Sequence, residues 1–269
     1  MIKRVLLLLL VFTLVACSTV PITGRKQLTI IPAAQMMSLA NDQYKQTLTQ
    51  SNLVNNSQDL QSLRRVGNNI IAQVEKYLAA NGMSEMVANY NWEINLIQDD
   101  QVNAWAMPGG KIAFYTGIMP LCNTDDAIAV VMSHEIAHAI ASHGGERMSQ
   151  GILAQYGSAI AVEVLLAEKP AATKNLVATA LGVGSQLGIL AYSRLHESEA
   201  DELGLYFMTM AGYDPYEGSK FWERMNALSN GQAPPKLLST HPPNAERIAN
   251  LNRLAPIAIE KYGNGAAGR

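Results

Sequence analysis

Apolar positions recur at three- and four-residue intervals from Ala33 to about Leu48 and again from Leu60 to Ala80, where Leu63, Val66, Ile70, Val74 and Leu78 form one stripe. That spacing predicts two amphipathic helices, the second closed by Asn81-Gly82. From Asn89 to Gln98 the period shortens to two, through Trp92, Ile94 and Leu96, and Lys111 to Thr116 is a β-prone run after Pro108-Gly109-Gly110. A small sheet is expected there. Thr124 followed by Asp125 and Asp126 reads as a helix start, with acids facing the positive end of the helix dipole. This helix is expected to run to about His143, where Gly144-Gly145 permits a stop. Residues 151–166 and 175–191 are strongly apolar, contain Glu163, Gln186 and several glycines, and are separated by Pro170. Each falls short of the roughly twenty apolar residues of a bilayer span, so a helical hairpin packed on the body is expected, with a membrane-spanning pair as the competing view. The fold class is α+β, mainly α, with a small β-sheet beside the helix that begins at Thr124.

A chain of 269 residues, 48% hydrophobic, can bury a full core. Its formal net charge of −2 carries no basic excess of the kind that binds phosphates, so nucleic acid is not an expected partner. Lys3 and Arg4 precede the apolar run Val5 to Val15, which reads as an export signal over residues 1–16. Leu14-Val15-Ala16-Cys17 resembles a bacterial lipobox, which implies cleavage before Cys17 and acylation of its thiol and new amino group. The expected location is then the bacterial cell envelope, facing the periplasm, and Ser18 leans toward the outer membrane. Residues 17–31, polar and rich in turn formers, are expected to be a tether, with a folded domain over 32–260 and a flexible tail over 261–269. A lipidated Cys17 leaves Cys122 without an intramolecular partner, so no disulfide is assumed and Cys122 reads as a small buried hydrophobe.

The chemistry centres on His134-Glu135-Ile136-Ala137-His138. On a helix, positions four apart share a face, so both imidazoles can point at one ion. Glu135 lies about 100° round the helix from His134, able to reach a water at the metal without ligating it. A catalytic zinc site needs a third protein ligand. Ala141 and Gly144 stand where metzincins place glycine and the third histidine, and His143, one residue out of register, reads as a helix C-terminal cation or surface residue. The better candidate lies in Ser193-Arg194-Leu195-His196-Glu197-Ser198-Glu199-Ala200-Asp201. There Glu197 and Asp201 share a helix face, so the first can ligate zinc while the second accepts a hydrogen bond from a ligating histidine. Glu199 would point away from that face, and His196 reads as a packed neighbour.

The combination of HEIAH, SRLHESEAD and Thr240-His241-Pro242-Pro243-Asn244-Ala245-Glu246-Arg247-Ile248, together with Asn103 to Gly110 and Tyr115-Thr116-Gly117, resembles metallopeptidase family forty-eight, the family of HtpX, the CAAX prenyl proteases and BepA. The resemblance covers most of residues 32–254, and nothing after 254 resembles tetratricopeptide repeats. It implies a gluzincin-type domain with one zinc ion held by His134, His138 and Glu197, Glu135 as catalytic base, Asp201 in a supporting position, and His241 near the metal as oxyanion stabiliser or resting ligand. It also implies a zinc-dependent endopeptidase acting on polypeptides, with misfolded or misassembled envelope proteins as the expected substrates, bound along the strand near Ile112 to Tyr115. The rival expectation is a chaperone-like peptide-binding lipoprotein with little turnover.

Overall fold

The computed structural model describes residues 17–151, 153, 192–228, 236–241 and 245–263. The expected export signal, nearly all of the expected hairpin over 151–191 and the chain beyond 263 lie outside these residues.

Strands β1 (Cys17–Thr19) and β2 (Lys26–Leu28) pair antiparallel, with Cys17 opposite Leu28. Helices α1 (Ala33–Thr49) and α2 (Gln58–Ala80) follow. Ser57 caps α2 by accepting from the Leu60 N–H at 3.1 Å, and the stripe from Leu60 to Leu78 is buried as its period requires. The three-stranded sheet comprises β3 (Glu93–Ile97), β4 (Ala104–Met107) and β5 (Lys111–Tyr115), in the order β3-β5-β4. β3 runs parallel to β5 and β4 antiparallel to it.

Helix α3 (Asp125–Ile140) opens as expected: Thr124 Oγ1 accepts from the Ala127 N–H at 3.1 Å, and Asp125 and Asp126 occupy the first turn. Every residue from Ala127 to Ile140 is buried, so α3 runs through the core rather than along its surface. α4 (residues 143–151) follows almost at once. Beyond the undescribed segment come α5 (Arg194–Met210), α6 (Glu217–Leu228), α7 (Lys236–Thr240) and α8 (Ala245–Tyr262). The main hydrophobic cluster joins α2, the sheet, α3, α5, α6 and α8. Cys122 belongs to it, and burial pushes its thiol up to about 12, as befits an inert core residue.

Four expectations are corrected. Residues 17–31 form a packed hairpin rather than a slack tether: Val20, Ile30 and Ile31 are buried, and the polar turn formers between them make the turn. α3 ends before His143, because Ser142 adopts a left-handed φ of 54°, and α4 then runs straight through Gly144-Gly145. β5 is the central strand with both edges paired, so it offers no free backbone to a substrate. The edge strands are β3, bridged at Ile97 by Leu53, and β4, whose short Ala-Trp-Ala-Met run has no alternation of its own and becomes a strand by pairing with β5. Finally, the helical C-terminus continues to Tyr262, whose ring packs 5.0 Å from Tyr206 and 6.0 Å from Tyr77, which moves the start of any tail beyond that residue.

Candidate metal centre

The site forms where α5 crosses α3. Gly204 permits the approach: a β-carbon there would stand 3.1 Å from the Cα and N of His134. Ser193 caps α5, its Oγ accepting from the His196 N–H at 3.2 Å, and the first two turns then carry Glu197 and Asp201 over the histidines of α3. His241 arrives from the end of α7, its N–H donating to the Leu237 carbonyl at 2.8 Å, and Leu237 donates in turn to Val102 just before β4.

His134, His138, Glu197 and His241, all buried, each offer one ligand atom within 4.8 Å of every other. His134 Nε2 lies 3.1 Å from His138 Nε2 and 3.2 Å from His241 Nδ1. Glu197 Oε1 lies 3.4 Å from His138 Nε2 and 2.9 Å from His241 Nδ1, and Oε2 lies 3.5 Å from His134 Nε2. Around a tetrahedral zinc with ligands at 2.0–2.1 Å, neighbouring ligand atoms stand about 3.3–3.4 Å apart. The observed separations scatter about that value.

The outer nitrogens agree. His134 Nδ1 lies 3.1 Å from Asp201 Oδ1, and His138 Nδ1 lies 2.9 Å from His143 Nδ1. With His134 Nδ1 facing the Asp201 carboxylate in an ion-pair contact outside hydrogen-bond geometry, and His138 Nδ1 bonded to His143, both Nε2 atoms turn lone pairs toward one point, and lone pairs that close repel unless a cation lies between them. Charge points the same way. Burial alone would lower the pKa of His134, yet the Asp201 and Glu197 carboxylates raise it to about 9. Burial drives His138 well below its usual value. Burial would raise Glu197, but His241, His134 and His138 together hold it well below the carboxylate range. The pocket demands positive charge, and the donor set fits zinc.

Glu135 stands beside this set. Its Oε2 accepts from the Ala106 N–H of β4 at 3.0 Å, while Oε1 is buried without a hydrogen-bond partner, 3.5 Å from His241 Nε2. Burial raises its pKa above the usual carboxylate value, which suits a group that must take and return a proton. Asp201 is gripped from behind by Arg247, whose Nε and Nη2 donate to its two oxygens at 2.7 and 2.8 Å. Arg247 Nη1 also lies 2.9 Å from Glu197 Oε2, and its guanidinium rests 4.2 Å over the Trp222 ring. Tyr192 stacks on His138, ring centroids 4.0 Å apart.

The structure thus gathers His134, Glu135, His138, Glu197, Asp201 and His241 at one point. Three residues were read differently from the sequence or given no role. His143 is fully buried rather than a surface cation, because the left-handed turn at Ser142 folds it back onto His138. Glu199 does point away from the ligand cluster, but into a buried network rather than solvent: its Oε2 accepts from His143 Nε2 at 2.9 Å. Arg247 lay within the C-terminal motif, and the signal that could have found it is the need of a buried Asp201 for a cation.

Two buried histidines and a glutamate converging with a free carboxylate beside them define a metallopeptidase of the gluzincin type. The comparisons agree: the model of peptidase family M48 matches residues 65–255, and the chain belongs to that family. The mitochondrial metalloendopeptidase OMA1 of Schizosaccharomyces pombe is 30% identical over 252 residues, covering 90% of this chain and 67% of that protein. Human mitochondrial metalloendopeptidase OMA1 is 27% identical over 94% of this chain and 49% of its own length. The β-barrel assembly-enhancing protease of Escherichia coli is 26% identical over 61% of this chain and 35% of its own length. The chain therefore spans two thirds of the fission-yeast relative and half or less of the other two. It is a metalloendopeptidase whose family cofactor is zinc.

Proposed function

We propose that this metalloendopeptidase cleaves extended segments of misfolded or misassembled envelope proteins, with His134, His138 and Glu197 holding zinc and Glu135 as general base. The observation that carries the reading is the asymmetry of Glu135: one oxygen is fixed by the Ala106 N–H, and the other is buried, unpartnered and turned toward the ligand cluster. Zinc, when bound, supplies Lewis acidity toward a water and a peptide carbonyl. Glu135 Oε1 takes the proton of the attacking water and returns it to the leaving nitrogen. Asp201, neutralised by Arg247, keeps His134 in one tautomer. His241 shares the ligand cluster through Nδ1, an arrangement suited to a resting state in which it fills the fourth position; on turning out, its ring can steady the oxyanion.

Substrate pairs with β4 near Trp105 to Met107, the edge strand that reaches the metal centre through the Ala106 N–H on Glu135, a bond that substrate pairing at Ala106 would have to replace. Main-chain pairing asks for extended backbone and little sequence, which suits unfolded chains. The envelope assignment rests on the resemblance of Leu14-Val15-Ala16-Cys17 to a lipobox and on the similarity to the E. coli protease, whose name ties it to β-barrel assembly. The mitochondrial relatives lend it no support. A chaperone-like role with little turnover is not favoured, since the base and ligand set are both complete.

Purified protein with zinc is expected to cut an unfolded outer-membrane β-barrel protein, and chelation is expected to stop it. Glu135→Gln should lower kcat at least about 100-fold, the scale of general-base catalysis, while retaining one zinc per chain. Undiminished cleavage by that variant would sink the assignment of the base, and absence of cleavage by the zinc-loaded wild type would sink the substrate class.

A further inference from the structure

The two histidines of α3 are oriented by different means. His134 meets a carboxylate directly, but His138 reaches one only through another histidine: its Nδ1 lies 2.9 Å from His143 Nδ1, and His143 Nε2 lies 2.9 Å from Glu199 Oε2. If His138 offers Nε2 to the ion, its Nδ1 carries the proton and donates to His143. His143 must then carry its own proton on Nε2 and donate to Glu199, so one carboxylate fixes two tautomers in series.

Glu199 is in turn held from the N-terminal hairpin. Thr23 Oγ1 donates to Oε1, and Arg25 Nε donates to Oε2 at 2.7 Å. The same guanidinium forks onto Glu146 of α4, Nη1 to Oε1 at 3.0 Å and Nη2 to Oε2 at 2.7 Å. Glu146 also meets His196 Nε2 at 3.0 Å, and the His196 ring stacks on His143 at 4.7 Å. Arg25 therefore sits between two buried carboxylates that approach it from α4 and α5. The turn that presents it is strained: Ile22, a β-branched residue, has φ of 67°, beside Gly24 at 69°. Such a conformation costs about 1–3 kcal/mol and persists only where surrounding contacts hold it. Those contacts include the Val20 N–H to the Arg25 carbonyl at 2.9 Å and, past β2, the Ile30 N–H to Ser149 Oγ of α4 at 3.0 Å.

We propose that the N-terminal hairpin is a positioning element of the metal centre, in which Arg25, acting through Glu199 and His143, sets the tautomer and orientation of His138. Arg25, Glu199 and His143 are positioning residues. The proposal rests on His138 being a zinc ligand.

The test measures zinc affinity by chelator competition on full-length protein, together with the visible spectrum of the cobalt-substituted form, which reports ligand geometry. Loss of partners behind a metal-bound histidine costs roughly 10–100-fold in affinity, so Arg25→Ala and Glu199→Gln should each weaken zinc by that factor and shift the cobalt bands. Arg25→Lys, which keeps the charge without the fork, should fall between them and wild type. Lys26→Ala, a change of an exposed hairpin contact to Thr19, should match wild type. Should Arg25→Ala fail to fold, Thr23→Val keeps the Arg25 side chain, removes the hydroxyl that donates to Glu199 and accepts from the Arg25 N–H at 3.4 Å, and gives the same readouts. Wild-type affinity and spectrum in Glu199→Gln and the Arg25 variants would overturn the inference, as would an equal loss in Lys26→Ala. Retention of zinc by His138→Ala is a separate outcome, which refutes the ligand reading instead.

Discussion

Arg247 holds two carboxylates at once, Asp201 through a fork and Glu197 through Nη1, in a place with almost no solvent. Burial lowers its pKa, but Asp201 and Glu197 together with Glu135 raise it more, so it stays charged. Arg247→Met keeps the apolar stem against Trp222 and removes the charge. It leaves Asp201 buried without its counter-ion even when zinc neutralises Glu197, and breaking one side of a buried pair costs about 3–5 kcal/mol. Urea unfolding of the zinc-loaded variant should show a loss of that size, and a loss below about 1 kcal/mol would mean that Asp201 is neutral in the native protein. The residues legible in the sequence were those whose geometry is local: His134, Glu135 and His138 share one helix, as do Glu197 and Asp201, and a four-residue step fixes their common face. Arg247 and His143 were not legible, because each takes its meaning from a partner on another element.

At the scale of elements, the helix start at Thr124 was readable from capping chemistry, and the buried stripe of α2 from its period. The crossing of α3 and α5 was not, since it turns on the absence of a side chain at Gly204. Nor was the hairpin of β1 and β2, whose few buried apolar residues are outnumbered by turn formers. Gly204→Ala tests the crossing. Its methyl would meet the His134 backbone at 3.1 Å, so the helices must part, with an overpacking cost of about 1–3 kcal/mol. Because the same shift draws Glu197 and Asp201 away from His134, zinc affinity should fall along with the melting temperature. Gly145→Ala, on α4 with open space around the new methyl, is the control and should stabilise by roughly 0.5–1 kcal/mol through helix propensity. Wild-type zinc affinity in Gly204→Ala would show that the metal centre tolerates a wider crossing.

For the whole molecule, the hairpin alters the meaning of the proposed acyl anchor. Cys17 is the first residue of β1 and pairs with Leu28, and Arg25 of the same hairpin is clamped between Glu146 and Glu199. An anchor at Cys17 would therefore have no slack segment beneath it and would hold the hairpin, and the metal centre behind it, close to the bilayer surface. No described helix is long and apolar enough to cross a membrane. If Cys17 carries the anchor, Cys17→Ala in a chain that keeps residues 1–16 should move the protein from the membrane to the soluble fraction while leaving zinc content and cleavage of an unfolded protein intact. Persistence in the membrane after that substitution would refute the acyl-anchor reading and favour the competing view of a membrane-spanning pair over residues 151–191. Release with loss of zinc would instead show that the start of β1 supports the metal centre, which the coupling through Arg25 makes the more instructive failure.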